Sequence, residues 1–348
     1  MRAWVAGVAG VATIGVMAAA RSRERRAAAA WDLEGQRTGP EVTLRDEAVQ
    51  LPFRFHRSDG FTAVFGADAG RVREALPSAG LHPVLLQDGR AAVLVGAFHH
   101  REQTIGTADG RVRTAKPYAE VMVAALVTPR LAPPVAPLFV TDLFGVGGFV
   151  FHLPVTSRLA LDAGRLFGLP KFVADMAFSE GAGERSVTVA EGGREILSLQ
   201  VRPSGRITQS WAPMVVYGVQ DTELIRTAMP GVSWEQVRLG RAGGRLELGG
   251  HPVADTIRAL GISPEPFATT NVVTSHFLIP AGQGIGSASS YLGYAGVERD
   301  FGSYTIRHPG TPPVDQYAHR DALEWWEVPG SGGADRGRAA VEPVAVAG

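Results

Sequence analysis

Residues 153–172 have the sequence LPVTSRLALDAGRLFGLPKF. This stretch predicts a helix from Ser157 to Phe167, which Gly168 ends because glycine readily adopts the left-handed conformation that follows many helix C-termini. Pro170 and Lys171 come shortly after. The stretch therefore places a lysine just beyond the end of a short helix.

Lysine is rare in this chain. Lys116 and Lys171 are its only lysines among 34 basic residues, and the other 32 are arginines. A genome rich in G and C substitutes arginine wherever only a charge is needed. A desolvated amine can form a Schiff base, whereas a guanidinium stays charged. We therefore expect a chemical role for a retained lysine, although Lys116, which precedes Pro117, favours an exposed turn.

The other apolar segments predict a β-rich chain. The valine-rich runs Ala91–His99 and Tyr118–Thr128 are typical of strands. Helices and strands do not alternate regularly, which predicts one large β-rich α+β domain with an antiparallel sandwich or barrel. Further strands are predicted at Phe61–Phe65, Ser186–Ala190, Ile196–Arg202, Ile207–Met214, Arg245–Leu248 and Asn271–Ile279, and further helices after the N-cap Asp68 as far as Leu76 and at Val253–Leu260.

Composition excludes several classes of function. The 34 basic and 34 acidic residues balance, and no basic block is interleaved with aromatic residues, which argues against nucleic-acid binding. The absence of cysteine excludes disulfides, thiolate nucleophiles and cysteine-ligated zinc. Adjacent His99 and His100 point to opposite faces of a strand, so they do not predict a metal site together with Glu102. We expect neither a metal nor another cofactor.

Glu120 lies in a strand whose two faces are both largely apolar. A carboxylate in such a strand must be at a rim, paired with a cation, or lining a cavity, because burying an unpaired charge is costly. A structural ion pair and an acid of a ligand pocket remain the two alternatives. We predict that Glu120 points into the same cavity as Lys171.

Two motifs together resemble a known family. The helix ending in Gly164-Arg165, then an aromatic residue, a glycine and Pro170-Lys171, resembles the active-site signature of the acetoacetate decarboxylase family. Upstream, Tyr118-Ala119-Glu120 resembles its aromatic-x-glutamate segment, and Phe55-His56 gives a weaker match. The resemblance spans roughly residues 50–280. It implies an antiparallel β-barrel or cone with a few packing helices, in which Lys171 forms the Schiff base and Glu120 lines the pocket.

The sequence departs from the family pattern at several positions, among them the strand around Val95, where a second family glutamate is missing. Phe172 replaces a second lysine, so burial would have to favour the neutral Lys171 amine. Leu166 replaces a glutamate, and Ser58 occupies the position of the pocket arginine, with Arg57 beside it. The catalytic residues implied are Lys171 and Glu120, and the substrate-binding residues are Arg57, Tyr118, Arg165 and Phe172.

These features predict a Schiff-base-forming lyase that acts on a small keto acid or ketone. Decarboxylation, aldol chemistry and dehydration share the iminium intermediate. The alternative is a non-catalytic protein on the same fold, in which Lys171 only pairs with a small ligand. We expect a homo-oligomer.

The N-terminal segment predicts a membrane anchor. Residues 3–20 carry no charge and would span ~27 Å as a helix, and an arginine cluster follows at residues 21–26. By the positive-inside rule, residues 1–26 would anchor the globular part in the cytoplasm. A cleaved signal peptide and a mis-assigned start codon are the alternatives. The remaining boundaries predicted are a linker at 27–50, a domain at 51–326 and a disordered tail at 327–348.

Overall fold

The structure is a computed structural model that describes residues 39–44, 47–134, 138, 144–211, 213–240, 243–291, 293–294, 296, 305–307 and 314–315. The predicted anchor at 1–26 and the predicted tail at 327–348 lie outside the described residues. No helix within the described ranges is long and apolar enough to cross a membrane.

The described residues form twenty strands and three helices. The strands are β1 (Glu41–Leu44), β2 (Glu47–Ala67), β3 (His82–Pro83), β4 (Ala91–Thr107), β5 (Val112–Ala115), β6 (Tyr118–Thr128), β7 (Gly147–Val155), β8 (Lys171–Val173), β9 (Asp175–Gly181), β10 (Glu184–Glu191), β11 (Arg194–Val201), β12 (Thr208–Ser210), β13 (Met214–Gln220), β14 (Glu223–Met229), β15 (Gly231–Leu239), β16 (Gly244–Leu248), β17 (Pro266–Ile279), β18 (Gln283–Ser287), β19 (Thr305–Arg307) and β20 (Val314–Asp315). The helices are α1 (Ala69–Ala75), α2 (Arg158–Arg165) and α3 (Pro252–Ala259).

Fourteen strands belong to one large sheet. Its main path has the order β12-β15-β17-β2-β4-β6-β7-β13-β14-β18, and β1, β3, β5 and β8 pair at its margins. The pairings are antiparallel except those of β7 with β8 and with β13. The predicted β-rich α+β fold is confirmed. Among the described strands the path does not close on itself, so the sheet is an open, curved one instead of a closed barrel.

A second sheet, of order β16-β11-β10-β9-β19-β20, packs against the large one. The core lies between them, and an edge-to-face contact of Phe61 in β2 with Phe178 in β9 joins the two sheets at 6.4 Å. Helix α3 covers β11 and β16. Burial of these apolar faces leaves the other face of the large sheet free to enclose a cavity.

Two predicted boundaries differ from the structure. β1 and the start of β2 lie inside the segment 27–50 predicted as a linker, because their polar residues pair with each other in a two-stranded ladder. The prediction of a single strand at Ile207–Met214 is wrong, because β12 ends at Ser210 and β13 begins at Met214. Pro213, which has no N–H to donate to a ladder, lies between them.

Helix α2 forms as the sequence predicts. The Ser157 side chain caps it by accepting from the Ala160 N–H at 3.3 Å, and Arg158 pairs with Asp162 one turn later at 3.6 Å. Gly168 ends the segment with a φ of +66°, and its carbonyl accepts from the Val219 N–H of β13 at 3.0 Å. The chain after α2 is therefore fixed against the sheet just before it reaches Lys171.

We expect Gly168→Ala to lower the free energy of unfolding by about 3 kcal/mol, combining left-handed strain with overpacking. A Cβ at this position would lie 2.6 Å from the Val219 carbonyl carbon, closer than real contacts allow. Chemical denaturation measures the change. Gly89→Ala is the matched control, since Gly89 has a φ of +80° but nothing within 4 Å, and it should cost only about 1 kcal/mol. Equal losses in the two variants would contradict the close packing of Gly168.

Candidate active site

The large sheet curves around a cavity of about 220 Å³, and α2 covers one side of it. Strands distant along the path, such as β15 and β14, both contribute to its lining. Most of the walls are apolar. The larger apolar side chains are Leu44, Phe53, Phe55, Phe98, Ile105, Met122, Val150, Leu153, Leu159, Phe167, Leu169, Met214, Val216, Met229, Val232, Val272, Phe277 and Ile279.

Lys171 enters this cavity from the first position of β8. It is 8% exposed, and β8 is held by its parallel pairing with β7, in which Lys171 lies opposite Leu153. The stem of the lysine passes across Gly164 of α2, where an added Cβ would be 2.3 Å from Lys171 Cδ. A larger residue at 164 would occupy the space of the lysine stem. The helix and the lysine of the sequence motif are thus one packed unit.

Glu120 is the direct partner of Lys171. Its Oε2 lies 3.0 Å from Lys171 Nζ, and its Oε1 lies 3.3 Å from His100 Nε2. Burial by itself would raise the Glu120 pKa, but the charges and hydrogen bonds of Lys171 and His100 outweigh it and lower the pKa to about 2. The two side chains line the same cavity, as predicted, and the carboxylate is ionised throughout the neutral range.

His100 extends the pair into a chain of polar groups. Its Nδ1 is 2.8 Å from Ser58 Oγ, and both residues are buried. The ring therefore meets Glu120 at Nε2 and the Ser58 hydroxyl at Nδ1. The imidazole is packed between Phe55 and Tyr118, with ring centroids 4.8 and 4.7 Å away. The ring is therefore held in one orientation towards the carboxylate.

Tyr118 also lines the cavity, as predicted. Lys171 Nζ lies 5.8 Å from the centre of its ring. Burial and the nearby Glu120 charge raise the pKa of the Tyr118 hydroxyl well above its usual value. The phenol is therefore neutral and can donate a hydrogen bond. The Lys171–Glu120 contact joins Nζ to Oε2 directly and does not involve the Tyr118 hydroxyl.

Arg57 does not line the cavity, which corrects the prediction made from its neighbour Ser58. Register shifts between β2 and β4 at Phe55, Arg57 and Ser58 interrupt the strict alternation of side chains. Phe55 and Ser58 face inwards as a result, whereas Arg57 is exposed on the outer surface near Asp59. A bulge of this kind changes the face on which a side chain lies.

Arg165 and Phe172 lie outside the cavity as well. Arg165 is exposed in the last turn of α2. Phe172 is fully buried on the opposite side of β8 from Lys171, because successive side chains of a strand alternate, and its ring contacts Tyr294 at 5.0 Å. A cation at position 172 would therefore not adjoin the lysine amine. Lys116, predicted in an exposed turn, is half-buried at the cavity lining.

Sequence reasoning missed His100 and Ser58 as members of the site. Period-two alternation correctly placed His99 and His100 on opposite faces, and His99 packs instead near Phe178 with ring centroids 6.4 Å apart. Alternation alone does not say which face encloses a cavity. Within the part of the chain that the structure describes, no group of three or more histidine, aspartate or glutamate side chains could hold a metal.

Comparison with known families identifies the relationship. The profile of acetoacetate decarboxylase (ADC) matches residues 40–276, which include Ser58, His100, Glu120 and Lys171. The chain belongs to the acetoacetate decarboxylase family. The family resemblance in the sequence motifs is therefore confirmed. No curated protein matches the sequence significantly.

Comparison with solved structures gives matches at low sequence identity. An acetoacetate decarboxylase from Legionella pneumophila is 14% identical, with 74% of this chain and 94% of that chain covered and a TM-score of 0.50. An acetoacetate decarboxylase-like enzyme from Sphingomonas wittichii RW1 is 17% identical, with 70% of this chain and 95% of that chain covered and a TM-score of 0.46. The enduracididine biosynthesis enzyme MppR complexed with pyruvate is 15% identical, with 67% of this chain and 90% of that chain covered and a TM-score of 0.49.

The low Glu120 pKa gives a prediction for stability against pH. Because the folded-state pKa lies below the ordinary 4.5, the ionised carboxylate stabilises the fold fully above pH 4.5, and this contribution falls as the pH drops towards 2. We expect the advantage of the wild type over Glu120→Gln in free energy of unfolding to be about 2 kcal/mol smaller at pH 3 than at pH 6. Denaturant titrations at both pH values measure it. Glu74→Gln, on the exposed surface of α1, controls for loss of one carboxylate, and an unchanged difference for Glu120→Gln would refute the pairing.

Proposed function

We propose that this member of the acetoacetate decarboxylase family is a Schiff-base-forming lyase of carbonyl compounds, with Lys171 as its nucleophile. The observation that carries the proposal is the buried pair of Lys171 Nζ and Glu120 Oε2, 3.0 Å apart, in a cavity with mostly apolar walls. Such a cavity leaves the amine accessible to a small ligand while keeping most water away.

Glu120 serves as both base and acid when the Schiff base forms. The Lys171 ammonium passes a proton to the Glu120 carboxylate, and the neutral amine attacks the substrate carbonyl carbon to give a carbinolamine. The carboxylic acid then protonates the carbinolamine oxygen, which leaves as water while the nitrogen lone pair forms the C=N bond. An iminium facing a carboxylate results. The site starts and ends with one cation beside one anion, so charge is not created in the apolar cavity.

The iminium withdraws electrons from a bond at the neighbouring carbon. Cleavage of that bond moves its electron pair into the C=N group and gives an enamine. Protonation of the enamine carbon and hydrolysis return the amine. Tyr118, a neutral phenol beside the lysine, can donate a hydrogen bond to the substrate oxygen.

No second cation beside Lys171 takes part in this proposal. Phe172 stands where a second lysine is expected, but that position faces the opposite side of β8. The apolar side chains beside Lys171 include Phe167 and Leu169. Proton transfer from Lys171 Nζ to Glu120 Oε2, 3.0 Å away, is the step that releases the nucleophile.

Borohydride trapping tests the proposal directly, because the chain has only two lysines. We expect incubation with a panel of acetoacetate, pyruvate and 2-butanone, followed by reduction, to label Lys171 with at least one member. Intact mass and peptide mapping locate the label. Lys171→Arg should abolish it, since a guanidinium forms no imine. In Lys116→Arg, the remaining label must lie on Lys171 or the N-terminal amine.

Binding of panel members without any label on Lys171 would replace the enzyme with the non-catalytic binder. A label confined to the N-terminal amine would have the same meaning, because that amine reports unspecific reactivity.

We expect His100→Gln to slow formation of the trapped adduct at least tenfold, because the variant loses the group that orients Glu120. As a positioning residue, His100 should also set the pH dependence of the trapping rate, and the rate profile should shift in the variant. His99→Gln, on the other face of β4, is the matched control. Equal slowing in the two histidine variants, with unshifted profiles, would assign His100 a purely structural role.

A further inference from the structure

We infer that the substrate is a neutral carbonyl compound with a hydrophobic alkyl or aryl substituent, not a keto acid. The inference rests on the proposed Schiff-base function and narrows its substrate class. It follows from three features of the cavity: the missing guanidinium, the fixed carboxylate and the apolar walls.

No arginine lines the cavity within the described part of the chain. Arg57 and Arg165, the two arginines that the sequence offered, are both exposed outside it. Guanidinium groups are the side chains best suited to hold a carboxylate through two parallel hydrogen bonds. Lys171 itself cannot take this role during the reaction, because its nitrogen becomes the iminium. A carboxylate next to the reacting carbonyl therefore lacks a bidentate partner.

Glu120 opposes such a carboxylate. Its Oε2 is 3.0 Å from the nitrogen that would bond to the carbonyl carbon, so a carboxylate one or two bonds from that carbon would lie close to a second anion. Like charges in a largely desolvated cavity repel strongly. The second carboxylate of a keto acid is thus disfavoured at the place where decarboxylation would require it.

The remaining wall fits an apolar group. Phe55 and Phe277 stack at 4.5 Å with an angle of 7° between their rings, and Phe53 meets Phe167 edge to face at 5.8 Å. These four rings and the methionines Met122 and Met229 line the cavity together. Burial of each methylene against such walls favours binding, and flat apolar surfaces accept alkyl chains or aromatic rings.

A neutral substrate has no carboxylate to lose, which leaves aldol chemistry and dehydration as the reactions of the iminium. In cleavage of a β-hydroxy ketone, Glu120 takes the hydroxyl proton, the carbon–carbon bond breaks, and its electron pair moves into the iminium to form an enamine. An aldehyde leaves. Glu120 then protonates the enamine carbon, and water hydrolyses the iminium to release a ketone and restore Lys171.

The test compares matched carbonyl compounds in the borohydride trapping of Lys171. Acetoacetate and methyl acetoacetate differ in one charge, and acetone, 2-butanone, 2-pentanone and 2-hexanone differ by single methylenes. Reaction of the same compounds with Nα-acetyl-lysine gives their intrinsic reactivity. After this correction, we expect methyl acetoacetate to label Lys171 at a concentration at least tenfold lower than acetoacetate. The half-saturating concentration of the ketones should fall about fourfold per methylene.

Each outcome separates the inference from the proposed function. If acetoacetate labels Lys171 better than methyl acetoacetate, or if labelling does not depend on ketone chain length, the inferred hydrophobic substrate class is wrong. The proposed Schiff-base function would still hold in either case. Preference for 5-oxohexanoate over 2-hexanone would likewise overturn it, in favour of a distal carboxylate held by Lys116. The absence of label on Lys171 with every compound removes the Schiff-base function itself. Lys171→Arg serves as the blank throughout.

Discussion

The Lys171 ammonium and the Glu120 carboxylate meet at 3.0 Å in a cavity whose walls are mostly apolar. Two buried charges are tolerated only when they pair closely, because an unpaired one loses its hydration without compensation. The surrounding structure positions each partner of the pair separately. Gly164 leaves room for the lysine stem, and the left-handed turn at Gly168 fixes the chain before β8. From the other side, β6 presents Glu120, and His100 on β4 contacts its second oxygen.

Curvature of the large sheet explains how one small site draws on distant parts of the sequence. Ser58, His100 and Glu120 lie on β2, β4 and β6, which are neighbours in the sheet. Alternating side chains of adjacent strands form a continuous inner face, so a polar chain can cross three strands on one face of the sheet. The bulge in β2 matters here, since it brings Ser58 inwards and turns Arg57 out. The bulge thereby puts the Ser58 hydroxyl, and not the Arg57 cation, behind His100.

Membership of the acetoacetate decarboxylase family accounts for the fold, while the lining of this cavity differs from what the family motifs imply. Phe172 belongs to the packing on the far side of β8, and its contact with Tyr294 has no bearing on the charge near the amine. The lysine and the glutamate that the family motifs imply line the cavity together, whereas no arginine of the described residues lines it. In general, the wall of a cavity can change around the same pair of side chains, and a fold can acquire a different substrate in this way.

Local chemistry in the sequence determined the parts of the site that lie close together along the chain. The helix after Ser157, the glycine that ends it and the lysine beyond depend on capping and backbone freedom, and these act over a few residues. Tertiary structure decided the rest. Strand alternation showed that Glu120 needed a partner and that His99 and His100 lie on opposite faces of their strand. Which face encloses the cavity, where β2 bulges and where Phe172 points all depend on which strands pair and how the sheet curves. Strand pairing and sheet curvature are set by long-range packing. For this reason Arg57, Arg165 and Phe172 lie outside the cavity, although their neighbours in the sequence predicted them to bind substrate.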